Sequence, residues 1–183
     1  MYAGLVVAVV AVAVAPFAIP AYNRLVRLRN GVENAFASLD VQLKQRCDLI
    51  PKVIEAVREY MAQERGTLDE LTALREKSSA ASTGNDQRLK LDQRMAVLLR
   101  GLMVRAEAYP DLNRETVSML QRSLNEVEAQ IAAARRPFNA AVTAFNTRIE
   151  VFPDNLIAGL FGFGRRALFQ AAVDERAVAA PSR

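Results

Sequence analysis

The chain has no histidine, no tryptophan and a single cysteine, Cys47. Without histidine there is no Ser-His-Asp or Cys-His machinery and no imidazole metal ligand. One cysteine excludes an intrachain disulfide and the usual Cys/His zinc sites. Glycine and proline are few, 8 and 7 among 183 residues. They leave long uninterrupted stretches, which favour helix over strand. Cys47 falls inside a helical pattern and reads as a small core residue. No catalytic residue, cofactor site or metal site is expected.

Net charge is +4 and the isoelectric point about 9.6. The basic residues are spread along the chain and do not alternate with aromatics, so a nucleic-acid platform is not expected. A local basic group, Arg24, Arg27 and Arg29, follows a hydrophobic segment and suits anionic lipid headgroups.

That segment, residues 1–21, carries no charged side chain. About twenty apolar residues in a helix span the hydrocarbon core of a bilayer. Residues 6–15 are all Val or Ala, and Tyr2 and Tyr22 flank the run at interface positions. Pro16 and Pro20 should kink its second half. No side-chain charge precedes the run, and Pro16 follows the small-residue Ala13-Val14-Ala15 site, so an uncleaved anchor is expected rather than a signal peptide. The arginines behind the span place the rest of the chain in the cytoplasm by the positive-inside rule. The expected location is an inner (cytoplasmic) membrane, crossed once.

From Leu25 an apolar ladder runs Leu25, Leu28, Val32, Phe36, Leu39, Leu43, Cys47, Ile50. Its eleven-residue period fits a nearly straight helix. The ladder continues through Ile54, Val57, Met61, Leu68 and Leu71. One helix from Tyr22 to Ala80 is therefore expected, kinked or broken near Leu49 by Pro51. The stretch 78–86 reads as a loop, with Asp86 capping a second helix to about Ala108. That helix should present Leu91, Met95, Leu98, Leu102 and Ala106. A third helix, Asn113 to Val151, carries a heptad-like seam and a kink at Pro137. A short glycine-interrupted helix, 156–169, follows. The expected fold is all-α: an N-terminal transmembrane helix (1–21), an up-and-down bundle of long helices (22–173) and a polar tail (174–183).

Helix lengths suggest that the second helix covers only the far part of the first, and that the third turns outward again. The stripe Leu25, Leu28, Val32, Phe36, Leu39, Leu43 would then lack an intrachain partner. It becomes the candidate interaction surface, with a second copy of the chain as its partner in a homo-oligomer. The bilayer and an unspecified membrane protein are the other expected partners. Asp40, Arg46 and Asp48, with Arg135 and Arg136, form the candidate polar cluster. Asp40 and Lys44 are i,i+4 partners, and Arg46 and Asp48 sit where Pro51 frees backbone groups. A ligand-binding or enzymatic role for Asp48 and Arg46 is the alternative function.

Several segments together resemble the LemA family of bacterial envelope proteins. They are Tyr22-Asn23, Leu25-Val26 and Leu28-Arg29-Asn30, then Asp40-Val41-Gln42-Leu43-Lys44, then Arg46 with Asp48-Leu49-Ile50-Pro51. Ala108-Tyr109-Pro110-Asp111-Leu112 and Ala134-Arg135-Arg136 with Asn139 follow. The last is Phe152-Pro153-Asp154-Asn155-Leu156-Ile157-Ala158 with Phe161-Gly162-Phe163. The resemblance implies a membrane-anchored helical bundle without established enzymatic activity. Pro137 departs from the pattern, since the family usually carries an aromatic or another helix former there.

Overall fold

The computed structural model describes residues 2–80, 82–109 and 111–170, excepting the side chains of residues 2–15 and 17. Within these residues the chain is all-α: α1 (Tyr2–Val57), a 3-10 turn (Ala62–Glu64), α2 (Arg65–Ser79), α3 (Asn85–Ala106), α4 (Arg114–Glu150) and α5 (Asp154–Leu160). Among the described residues no helix is long and apolar enough to cross a membrane. Of the candidate anchor 1–21, Met1 and the side chains of residues 2–15 and 17 lie outside the described set, as does the whole of the tail 174–183.

The first expected helix is two helices. Pro51 does not break α1, which runs on to Val57. The carbonyl that Pro51 leaves without a backbone donor is that of Cys47, and Arg75 Nε on α2 donates to it at 3.2 Å. The break comes instead at residues 58–61, where Met61 N–H bonds the Val57 carbonyl. No glycine or proline marks it. Val57 and Met61 are both fully buried, so the turn is fixed by tertiary packing.

The chain divides into two compact units, Met1–Phe36 with Pro137–Leu168, and Ala37–Arg136 with Phe169–Arg183. In the second unit, α2 turns back on α1, as the Arg75–Cys47 bond shows. α3 then runs parallel to α1, with Arg88 on Asp40 and Arg46 on Asp92. The first part of α4 returns along α3, tying Glu128 to Arg100 and Gln121 to Glu107. This is an up-and-down bundle around Ile50, Val53, Leu71, Met95, Leu99 and Leu102. The inward face of α3 is Leu89, Asp92, Met95, Ala96, Leu99, Leu102, Met103 and Ala106. Leu91 and Leu98, expected on that face, are half-buried.

α3 is capped by Gly84, not by Asp86, which lies in the first turn and makes no cap bond. Asn113 caps α4, its Oδ1 accepting from the Glu115 and Thr116 amides at 3.0 and 3.2 Å. Pro137 is accommodated inside α4, which continues to Glu150.

In the first unit, the second half of α4 runs antiparallel to α1. Phe36 meets Phe138 at 5.9 Å between ring centroids, and both Arg24 and Arg148 reach Asp154. The reversal at residues 58–61 adds one change of direction, so α4 comes back along α1 rather than turning away. The expected exposed stripe is accordingly buried: Leu25, Val32, Phe36, Leu39 and Leu43 are each no more than 6% exposed, and Leu28 is half-buried. These residues are core, and the argument for self-association through them fails. The short terminal helix is also smaller than expected. It spans Asp154–Leu160, preceded by a cis Phe152–Pro153 bond, and residues 163–170 run without regular structure.

Candidate functional site

The most deeply placed ionic group in the second unit centres on Arg46. Its side chain stands on the inward face of α1 beside Cys47 and is 3% exposed. Arg46 Nη1 donates to Asp92 Oδ2 on α3 at 2.8 Å, and Nη2 lies 3.5 Å from Glu128 Oε2 on α4. Arg100 Nη2 reaches the other Glu128 oxygen at 3.1 Å. Two guanidinium groups and two carboxylates thus tie three helices with formal charge in balance. Arg46 and Asp92 are the buried pair, and charges so far from water are tolerated only when paired and hydrogen-bonded; Glu128 and Arg100 are partly exposed.

Asp92 is the strained member. It is 1% exposed, and its Oδ1 is buried without a hydrogen-bond partner in the protein. Burial pushes its carboxyl up to about 6, against the opposing pull of Arg46; the Glu128 charge adds to the rise. A small, partly open cavity of about 20 Å³ adjoins it, lined by Arg46, Asp92, Glu128, Arg135, Phe169 and Gln170. That is about the room one water needs and far below the ~300 Å³ of a small-molecule site. At its rim Gln93 Nε2 donates to the Gln170 carbonyl at 2.7 Å.

Of the expected polar cluster, Arg46 is at the centre and Arg135 lines the same cavity. Asp40 stands apart, bound to Lys44 at 2.9 Å and to Arg88 at 3.1 Å. Asp48 and Arg136 are exposed. Asp48 therefore does not join the buried Arg46, and neither satisfies the carbonyl freed by Pro51. Asp92, Glu128 and Arg100 were missed. Their signal was an acid within the 3-and-4 spacing Leu89, Asp92, Ala96, Leu99, Met103, Ala106. Burial pushes the Cys47 thiol up, consistent with a core residue.

Among the described residues no group of three or more Cys, Asp or Glu side chains could hold a metal ion. A wider, open groove of about 830 Å³ lies between the end of α1 and α2, lined by Ile54, Arg58, Glu59, Leu68, Asp69 and Thr72. It brings no reactive pair together.

The first unit has its own ionic centre in the segment Phe152–Leu156. Asp154, 1% exposed, is paired with Arg148 of α4 and with Arg24 of α1 at 3.6 Å. Asn146 clamps the chain beyond α5, donating to the Arg166 carbonyl at 2.8 Å and accepting from its amide at 2.9 Å. Arg29 lies 5.5 Å from the centre of the Phe163 ring.

These tied segments are the ones that carry the resemblance, and a family model described as LemA family matches residues 35–182. The chain belongs to the LemA family. It is 27% identical over 155 residues to Protein LemA of Metamycoplasma hominis, covering 84% of this chain and 71% of that protein. It is 25% identical over 175 residues to Magnetosome protein MamQ 2 of Paramagnetospirillum magneticum. That match covers 81% of this chain and 64% of the relative, so the chain spans less than two thirds of it. In LemA family terms, Asp154 of the Phe152–Leu156 segment and Arg46 are interhelical ties in this member.

Proposed function

We propose that this protein is a non-enzymatic, membrane-anchored scaffold or interaction protein of the bacterial cell envelope. Residues 1–21 form its single-pass anchor, and the helices beyond Tyr22 lie on the cytoplasmic side. The observation that carries the reading is the closure of the Arg46–Asp92–Glu128–Arg100 group. Its charges are spent on one another, and the adjoining cavity of about 20 Å³ admits no substrate. The LemA family and the magnetosome relative support a membrane-associated, non-enzymatic role. The alternative of a ligand or catalytic site at Arg46 and Asp48 loses its support, because one side chain is buried and the other exposed.

Any assembly uses a face other than Leu25–Leu43. Exposed apolar positions such as Val104 (64%) and Met119 (57%) are available to probe. With photo-crosslinkers at Val104 and Met119, native membranes should yield discrete adducts to a second copy or to a membrane protein. Adduct-free protein from every probed face, still retained in the membrane, would contradict the scaffold reading. Sidedness is tested by Ser82→Cys in the α2–α3 loop, since Cys47 is buried. An impermeant thiol reagent should leave it unlabelled in intact spheroplasts.

A further inference from the structure

Among the described side chains of the first unit, most of the large exposed apolar ones are gathered in and around α5. Phe152 is 75% exposed, Leu156 62%, Leu160 77% and Phe161 57%. Leu156 and Leu160 are four residues apart on α5, so its apolar side turns outward, and Phe152, just ahead of the helix, is exposed as well. Its inward side is Asp154 and Ala158, both buried. This inverts the usual arrangement for a surface helix, whose apolar face seeks the core. A contiguous exposed patch of this kind marks a contact surface.

The place of α5 along α1 indicates what it contacts. At its start, Asp154 meets Arg24; just past its end, Phe161 stacks near Tyr22 with ring centroids 4.8 Å apart. Two residues of α1 rise about 3 Å, whereas the seven residues of α5 extend about 10 Å. α5 thus lies across α1, not along it. It crosses at the point where the charge-free segment 1–21 gives way to Arg24, Arg27 and Arg29. Ile19, one turn before that point, is itself 60% exposed. Arg165, on the chain leaving α5, is paired with Glu150 at 3.2 Å yet remains 72% exposed.

We propose that α5 is an interfacial helix, lying in the plane of the bilayer with Phe152, Leu156, Leu160 and Phe161 sunk into the boundary between headgroups and acyl chains. Arg24, Arg27 and Arg165 face the anionic headgroups of the same leaflet. The proposal rests on the reading of residues 1–21 as the anchor. It adds a second, peripheral contact that fixes the angle at which α1 leaves the membrane. The geometry matches interfacial helices generally: an apolar face of bulky residues, and basic groups at headgroup depth. The Asp154 ties to Arg24 and Arg148 hold the helix flat against α1 and α4.

The chain has no tryptophan, so one introduced indole reports alone. Full-length protein carrying Leu160→Trp is reconstituted into phosphatidylcholine–phosphatidylglycerol vesicles containing lipids brominated at shallow or deep acyl positions. Ala140→Trp is the reference, an exposed site on α4 ten residues before its end, about 15 Å of helix rise. Leu160→Trp should emit blue-shifted and lose most of its emission to the shallow bromines, while Ala140→Trp keeps its emission. Replacing phosphatidylglycerol by phosphatidylcholine should weaken that loss. Unquenched, red-shifted emission from Leu160→Trp in chains that float with the vesicles would overturn the interfacial helix and leave the anchor standing. Blue-shifted but unquenched emission would overturn it in favour of a protein surface, a second copy included. Chains that do not float would defeat the anchor itself.

Discussion

Arg46→Met removes the cation from the buried centre of the second unit while keeping most of its volume. Asp92, 1% exposed, then loses its 2.8 Å partner, while Glu128 keeps Arg100. Breaking one side of a buried pair costs about 3–5 kcal/mol, since the remaining charge stays desolvated. Typical domains have about 5–15 kcal/mol of stability in total, so the loss should be plain in urea unfolding followed by circular dichroism in mild detergent. Asp92 has one escape: with its carboxyl already pushed up to about 6, it can take a proton. The penalty should therefore shrink in mildly acidic buffer. Arg46→Met with Asp92→Leu removes both charges, and well-packed apolar replacements of buried pairs are often neutral or better. The double variant should be more stable than either single one. Arg94→Met, which breaks the exposed contact with Glu70, serves as a control whose midpoint stays near the parent value. If the double variant loses as much as the two single losses added together, Arg46 and Asp92 are not coupled and the tie is misread.

The carboxyl of Asp92 has a higher pKa in the folded chain, about 6, than its ordinary value near 3.8, so the native state binds the extra proton between them. Its contribution favours folding most below about pH 4 and is lost as pH rises through about 6, a change of up to about 3 kcal/mol. Against Asp92→Asn, the parent should therefore lose relative stability from acid to neutral pH; a constant difference would refute this. Pro51→Ala restores a backbone donor to the Cys47 carbonyl, making Arg75 redundant there. Arg75→Met should cost about 1–3 kcal/mol in the parent and much less beside Pro51→Ala, as read from unfolding midpoints. Equal costs in both backgrounds would show that the Arg75 bond carries no weight.

The helical class and the limits of α3 and α4 were legible because apolar spacing, the 78–86 loop and Asn113 all act locally. The break after Val57 was not. No residue there disfavours a helix, and the turn exists because Val57 and Met61 bury their side chains among other helices. That single reversal decides the direction of α4, and hence whether Leu25–Leu43 is surface or core. Pro51 misled in the opposite sense. Its local cost is real, but an arginine 24 positions later on a facing helix absorbs it. The polar site was half legible. Arg46 stood out, whereas Asp92 was hidden by a ladder read through Leu91 and Leu98 instead of Leu89, Ala96 and Leu99. The carboxylate of Asp154 was visible as part of a motif, but of its two arginine partners only Arg148 is near in sequence; Arg24 comes from the distant α1.

The central claim, that residues 1–21 anchor a non-enzymatic helical protein in the membrane, is tested most directly by alkaline carbonate extraction of native membranes. The parent chain is compared with one carrying Val7→Asp and Val10→Asp. Charges at the middle of a spanning helix cost about 2.5–3.5 kcal/mol each on insertion scales. The parent should stay in the pellet with its N-terminus near Met1, and the doubly substituted chain should move to the supernatant with its helix content kept. A parent chain released by carbonate, or a mature N-terminus at Pro16 or beyond, would contradict the account.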